Sequence, residues 1–442
     1  MMRLAWILQC ESCTNIVELI KDLIFSDDFC SRYKKSPEFF TRERVLTFPT
    51  LIFFMINFRN GSNQNELDNY FKALNNLECA ERIVSKSAFT KARAKLDYHA
   101  FIELNHQMTD FFYREFPAKT WNGFNLMAID GSTSALPMTK EISEHFGEWN
   151  SGKDTACPVA RVSQMYDVMN KVTVDAIIKP KKEGERELAA WHFLRLLPAD
   201  LILLDRGYPA YWLFNLILSL NSNFCARISC TQWVQVRDFF ESGENERIIY
   251  LKPSHASLEK CREFELDETP LCLRLIRVEL KNGETEILIT SLIDSEEFPH
   301  NIFGNLYIKR WPVEEDYKLM KCRIEIERFS GESVESVYQD FHAKVFSKNL
   351  TLILVQSVKD HVQESCVNRK YEYQINITQA FSKMKNTIVL LFNRTEGAIN
   401  GLINKIMKII TITLESIRPG RTFPRKHKIR KKRYNPVYKP IC

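Results

Sequence analysis

Three carboxylates stand where phosphodiester chemistry would need them. Asp130 closes the apolar run FNLMAID (124–130), and Asp205 closes LILLD (201–205). Glu314 lies further on, in YIKRWPVEEDYKLMK (307–321). Neighbouring strands that end at one edge of a sheet bring their last side chains together, and a helix crossing that edge can add a third. Three convergent carboxylates form a hard-oxygen cage of the kind Mg²⁺ accepts, with positions left open for phosphate and water. Two such ions about 3.5–4 Å apart can activate an attacking oxygen and stabilise a leaving one in an in-line displacement at phosphorus. Taken singly, each acid has a plainer use: a cap or turn for the aspartates, a solvated helix face for the glutamate.

The neighbours of Glu314 narrow the choice. Tyr307, Arg310, Glu314 and Lys321 lie at i, i+3, i+7 and i+14. On a single helix they fall on one stripe about 60° wide. Such a face suits a metal-bound phosphodiester. Arginine forks onto phosphate oxygens, lysine adds a point charge, and tyrosine donates or stacks. A helix surface laced with ion pairs, using Glu315, Asp316 and Lys318, is the alternative. Pro312 is tolerated in a first turn but not in mid-helix, so Tyr307 can precede the regular helix.

The elements that must position these groups follow from the pattern. Residues 1 to about 118 read as helices, among them Thr14–Phe25, Arg42–Phe58 with a kink or restart at Pro49, and Gln64–Leu74. Ser87 is placed to cap SAFTKARAKL, with Ala88, Phe89, Ala92 and Leu96 inward and Lys91, Arg93 and Lys95 outward. Two short helices with a basic second member resemble a DNA-binding helix-turn-helix, although a purely structural helical pair looks the same. From 124 the texture becomes strand-like. FNLMAID is followed by a hairpin of ARVSQMYDVM and VTVDAIIKP around Asn170–Lys171, then a helix at about 184–197 and the strand LILLD. A helix at about 209–221 and the strand FCARIS complete a mixed α/β sheet with helices packed against it. Residues 231–285 read as an all-β insertion with an Asn282–Gly283 turn, and ILITSLI (287–293) returns to the sheet. Helices are expected at 306–323, about 332–360 and 394–415.

The 442 residues suffice for several domains with full cores. With 45% hydrophobic and 26% charged residues, disordered and low-complexity classes are excluded. No apolar run approaches the ~18 residues of a membrane span, and MMRLAWIL is too short for a signal peptide, so an intracellular protein is expected. Cys10 and Cys13 form a lone CxxC without a second pair or nearby histidines, which favours incidental thiols over a zinc site. The net charge of +6 comes from the end of the chain: residues 416–442 hold ten Lys/Arg and no acid, leaving 51 basic against 55 acidic residues elsewhere. That tail, with Phe423, Tyr434 and Tyr438, suits a phosphate backbone as well as it suits a solvated end.

Tyr–(2)–Arg–(3)–Glu–(6)–Lys resembles the YREK signature of DDE insertion-sequence transposases of the IS-four family, the group that includes the Tn-five transposase. MAIDGST around Asp130, LLDRGY around Asp205 and ERFSG at 327–331 accompany it. The resemblance covers roughly 120–360 well and 40–118 more loosely, and it does not reach the first forty residues or the tail. It implies an RNase H-like catalytic core in which Asp130, Asp205 and Glu314 bind two Mg²⁺, with Mn²⁺ as a substitute. Tyr307, Arg310 and Lys321 would hold transposon-end phosphates. Hydrolysis would free a 3′-hydroxyl that attacks target DNA, after a hairpin in some members. Arg206 can reach phosphate or pair with an acid. Trp233 lies in the region where hairpin-forming relatives stack a flipped base, with a packed core tryptophan as the alternative. Arg274 and Arg277 alternate on a strand, so one at most would touch DNA.

The organisation expected is a helical DNA-end-binding region (1–118), a catalytic core (119–360), a C-terminal helical region (361–415) and a basic tail (416–442). Family members act as homodimers on paired ends, which points to 332–415 for self-association, in a cytoplasmic, nucleoid-associated protein with no membrane contact. A nuclease without strand transfer and a transposase-derived DNA-binding regulator are the rivals. Glycoside hydrolysis fits poorly, because Arg310 and Lys321 indicate an anionic substrate.

Overall fold

The computed structural model describes residues 2–42, 44–149, 156–280, 283–367 and 369–418. Most of the basic tail therefore lies outside the described residues. The chain divides into two compact units: unit 1 comprises Met1–Pro117, Ser134–Ala160 and Leu319–Cys442, and unit 2 comprises Ala118–Thr133 and Arg161–Lys318.

Unit 2 is built on a mixed sheet. Its strands are β1 (Asn125–Ala135), then β3 (Cys157–Asp167) after the two-residue β2 (Glu148–Trp149), then β4 (Val172–Pro180), β5 (Asp200–Leu204) and β6 (Asn223–Ile228). The far ends of β1 and β3, with β2, belong to unit 1. Leu126, Met127, Ala128 and Ile129 of β1 and Leu201–Leu204 of β5 are all buried. Continuous apolar runs are what strands covered on both faces require. β1 and β3 run antiparallel, with the Val168 amide donating to the Leu126 carbonyl at one end and Leu136 to Pro158 at the other, each at 3.0 Å. The β3–β4 hairpin turns at Asn170–Lys171, as the sequence predicts. Asp167 Oδ1 accepts from the Met169 and Asn170 amides, and Lys171 takes a left-handed φ of 57°.

β5 pairs parallel to β1, and β6 parallel to β5. Helices Glu185–His192 and Tyr211–Ser219 make the crossovers. The order β4-β3-β1-β5-β6, three antiparallel strands and then two parallel ones, is the RNase H-like arrangement.

Residues 231–285 are not all-β. They hold the helices Val234–Ser242 and His255–Glu263 beside β7 (Glu246–Leu251) and β8 (Leu271–Glu279). Each helix is nine residues long and buries few side chains, Val236 and Phe239 in one and Cys261 in the other, so its period is hard to see in the sequence. Nor do the strands form a separate layer. β9 (Thr285–Thr290) pairs antiparallel with β6 and carries β8 and β7 outward on the same sheet. Of the expected Asn282–Gly283 turn, Asn282 lies outside the described residues. Gly283 has φ +82° and donates to the Leu280 carbonyl at 2.9 Å.

Unit 1 is helical, and its centre is the helix Val334–Ser357, whose residues are all buried except Val334, Glu335 and Gln356. The first helix, Met2–Phe25, starts well before the expected Thr14. Cys13 donates to Ser357 Oγ, and Trp6 Nε1 to Asn404 of the helix Glu396–Ile412. Cys10 and Cys13 are both buried there. Pro49 does not kink a long helix but opens a short one, Phe48–Met55, capped by Thr47.

The basic helix runs Lys86–Arg93 and is capped by Ser85 rather than Ser87. Residues 76–85 separate it from Asn63–Asn75, whereas a helix-turn-helix joins its helices by about 3–4 residues. Arg93, expected on the outer face, is 5% exposed. Its guanidinium donates to Asp340 at 2.9 Å, Gln339 at 2.9 Å and Ser330 at 2.8 Å. Arg59 reaches the same Asp340 oxygen at 2.8 Å. Burial alone would push the Asp340 carboxyl up, but Arg93 and Arg59, with the Ser330 amide, hold it well below the usual carboxylate range. Among the described residues no helix is long and apolar enough to cross a membrane.

Candidate active site

Parallel pairing of β1 and β5 places two of the three acids. Ile129 is in register with Leu204, so Asp130 and Asp205 are the next residues along two adjacent strands. Asp205 directly follows β5, as expected. Asp130 does not end β1, which continues to Ala135.

The third acid arrives from a broken helix. Residues 307–321 do not form one rod: Tyr307 belongs to the helix Phe303–Ile308, and Pro312 opens a second helix, Pro312–Cys322. Arg310 sits in the turn between them. Proline has no amide to donate and its ring clashes with the preceding turn, which is why the break falls here. The groups still meet. Tyr307 donates to Asp205 Oδ1 at 3.3 Å and the Leu204 carbonyl at 3.4 Å. Arg310 Nη2 donates to Glu314 Oε1 at 2.6 Å. Tyr317, one turn after Glu314, donates to the Asp130 carbonyl at 2.8 Å and ties the second helix to β1.

The electrostatics are those of an acidic centre with too little positive charge. Burial pushes Asp130 up to about 6, opposed by Arg310 and the Gly131 amide, while Glu314 and Asp205 push it further up. Arg310 is only 8% exposed. Burial works against its charge, but Tyr307, Asp205, Glu314 and Asp130 together raise it above the ordinary arginine value. Its Nη1 has no hydrogen-bond partner among the described residues, and neither has the hydroxyl of Tyr208, which is 3% exposed. Among the described residues, no three His, Cys, Asp or Glu groups stand close enough to chelate an ion as they are. Glu314 instead holds Arg310. The carboxylate oxygens, in mutual repulsion, nonetheless fit a hard divalent cation, and the buried donors that lack an acceptor fit phosphate oxygens beside it.

The other expected residues are scattered. Arg206 is exposed beside Asp205, and Lys321 lies in the last turn of Pro312–Cys322. Lys91 is exposed, while Lys95 is half-buried with its ammonium 5.0 Å from the Phe39 ring centre. Trp233 is half-buried at the start of Val234–Ser242 and meets Phe214 edge-on, 6.3 Å between ring centres. Arg274 is buried against Glu246 and the Phe298 carbonyl, and Arg277 caps the Phe239, Phe240 and Glu244 carbonyls.

Sequence reasoning missed several groups. Tyr208 and Tyr317 lie inside segments already singled out, LLDRGY and YKLMK, but nothing in their spacing marked them. His192 is 0% exposed and bridges Asp175 at 2.7 Å and Ser163 at 2.9 Å. Those residue types resemble a hydrolytic triad. Full enclosure leaves no path for a substrate, and the trio pins the helix Glu185–His192 to β3 and β4.

Compared with known proteins, residues 121–350 match the family model described as "Transposase DDE domain", just over half of the chain. The chain belongs to the DDE transposase family. It is similar to the transposase InsG for insertion sequence element IS4 of Escherichia coli (strain K12), with 23% identity over 354 residues, 79% of this chain and 78% of that one. It is also similar to the putative transposase InsZ of the same organism, with 25% identity over 153 residues, 34% of this chain and 50% of that one. A solved structure, the cryo-EM structure of a piggyBac transposase synaptic complex with hairpin DNA, aligns with TM-score 0.45 and 10% identity over 92% of this chain and 87% of that one. This DDE transposase is therefore an enzyme of DNA cleavage and strand transfer, in a family that depends on divalent metal.

Proposed function

We propose that Asp130, Asp205 and Glu314 are the catalytic carboxylates of this transposase and hold two Mg²⁺, with Mn²⁺ as a substitute. The observation that carries this reading is the β1–β5 register, which makes Asp130 and Asp205 neighbours, together with the action of Glu314 on the Asp130 carboxyl. Bound there, the ions would activate the attacking oxygen and stabilise the leaving one in displacement at phosphorus.

The chain's own residues do the positioning. Tyr307 fixes the Asp205 carboxylate. Arg310, with an unpartnered Nη1, is poised to fork onto the scissile phosphate, and Lys321 adds a charge along the same strand. Water attacks at the transposon end and the 3′-oxygen leaves. The freed 3′-hydroxyl then attacks a target phosphodiester, so one bond forms for each bond broken. Arg206, Lys91 and Lys95 contact flanking DNA backbone. Arg93 is removed from that set by its engagement with Asp340. Trp233, half-buried, serves as the platform on which an extruded base stacks.

The protein acts as a homodimer on paired inverted-repeat ends, in a cytoplasmic, nucleoid-associated complex. Within 332–415 the helix Val334–Ser357 is core, which leaves the helices after it for self-association. Exposed Ile409 and Ile412 on Glu396–Ile412 are the candidates.

The test is Mg²⁺-dependent cleavage and plasmid joining of a duplex carrying the sequences that flank the gene, for wild type and Glu314→Ala. Cleavage and joining, both lost in the variant with DNA binding intact, is the expected result. Cleavage that survives in the variant would remove Glu314 from the centre.

A further inference from the structure

Next to Asp130 and Asp205 lies a fourth carboxylate that no motif singles out. Glu185 opens the helix Glu185–His192. A β-carbon on Gly131, the residue after Asp130, would stand 3.5 Å from the Glu185 carboxyl, and one on Gly207, two after Asp205, would stand 4.0 Å from it. Both are ordinary van der Waals distances, so the Glu185 carboxyl lies directly against the two segments that carry the aspartates.

The surroundings fix Glu185 in place. Arg186 Nε donates to the Gly207 carbonyl at 3.1 Å, and the far end of the helix is held by His192 through Asp175 and Ser163. A second, independent observation points to a missing ligand. Tyr208 is almost fully enclosed, and its hydroxyl has no partner among the described residues. Tyr208 comes three residues after Asp205, and its amide donates to the Asp205 carbonyl at 3.0 Å, so the enclosed hydroxyl, with a proton to donate and no acceptor, belongs to the same turn as that acid. Glu185 is now paired with Arg161 of β3 at 2.6 Å, and Arg161 Nε is itself buried without a partner.

We propose that Glu185 is a fourth acidic residue of the catalytic centre, helping to hold a divalent ion, and that Arg161 is a further phosphate-binding residue for the DNA strand. This rests on the assignment of Asp130, Asp205 and Glu314 made above. In the free protein the two side chains neutralise each other, as Arg310 and Glu314 do. Cation and phosphate together offer each a stronger partner: hard oxygens for the ion, and a planar fork for the phosphate. Tyr208 then finds its acceptor on what enters.

The experiment measures Mn²⁺ binding to the DNA-free protein by calorimetry, and binding of the flanking-sequence duplex in EDTA. The proteins compared are wild type, Glu185→Gln, Glu185→Asp, Arg161→Gln and Asp130→Asn. Glu185→Gln should weaken Mn²⁺ binding about tenfold or more, with Glu185→Asp recovering part of the loss. Arg161→Gln should leave Mn²⁺ binding equal or tighter while weakening the duplex. Mn²⁺ affinity unchanged in Glu185→Gln overturns the proposal. So does a purely structural pattern, in which Glu185→Gln and Arg161→Gln lower Tm alike and leave both ligands unaffected. Asp130→Asn reports separately: unchanged Mn²⁺ binding there would overturn the assignment of the three catalytic acids, whatever Glu185 does.

Discussion

Asp340 in unit 1, buried, and Asp130 in unit 2, half-buried, are both aspartates beside arginine, yet their carboxyls move in opposite directions. Asp340 has two guanidiniums, a hydroxyl and an amide on its oxygens and is held well below the usual range. Asp130 shares Arg310 with Asp205 and Glu314 and is pushed up to about 6. The same side chains make a closed cluster when cations outnumber acids and an open one when acids outnumber cations. The closed cluster has no use for a ligand. The open one is short of positive charge, which divalent cations bring, and this separates a structural ion pair from a site.

The strongest way to break the comparison is Asp130→Asn. Single-turnover cleavage should fall about a thousandfold, the scale on which preorganised charge stabilisation acts, with the folded state intact by circular dichroism. An active variant would mean the open cluster is not catalytic. Next, Asp340→Asn leaves two buried guanidiniums without their acid and should destabilise the protein by about 3–5 kcal/mol in urea unfolding. The depressed Asp340 carboxyl contributes stability that is fully present above its unfolded value of about 3.9 and is lost as pH falls below it. The gap between wild type and variant should therefore narrow in acid, and a gap constant down to pH 2 would contradict the charge pairing.

The sign reverses for Asp130. A carboxyl raised in the folded state penalises folding when ionised, fully above pH 6 and not at all below the unfolded value. In EDTA, Asp130→Asn should therefore stabilise the protein by about 1–2 kcal/mol at pH 7–8, with the gain vanishing between pH 6 and 4. A variant less stable than wild type at pH 8 would mean that Asp130 is satisfied after all. Smallest of all, Lys91→Gln should change stability by less than about 0.5 kcal/mol, while Arg93→Gln, two residues on, lowers it measurably. Equal effects would undo the assignment of Arg93 to the closed cluster.

What could be read from the sequence depended on how local the cause was. The β3–β4 hairpin was legible because alternation and the Asn170–Lys171 turn are written within twenty residues. So was the break before Pro312, since proline acts on its own turn. The acids were legible as strand-end residues next to a spaced signature, although Asp130 proved to lie within its strand. Arg93 was misread because its partner Asp340 is 247 residues away, and an amphipathic pattern cannot distinguish an outward arginine from one with a buried counter-ion. The helices of the insertion went unseen because each buries only one or two side chains. Glu185 carries no signal at all: it matters through the glycines it faces, one on β1 and one in the turn after β5.

Unit 1 takes its residues from both ends of the chain, whereas unit 2 is nearly one continuous segment. During synthesis unit 2 can close as soon as its last helix emerges, but the N-terminal helices must wait for Val334–Ser357 before their apolar faces are covered. A nascent chain thus carries Arg59 and Arg93 without Asp340 for most of its time on the ribosome. Domains generally fold as units in the order they are made, and here the first part made is among the last to fold. A product truncated between 318 and 334 would keep the three acids proposed as catalytic and lose its helical unit, leaving a chain that chaperones and proteases would clear.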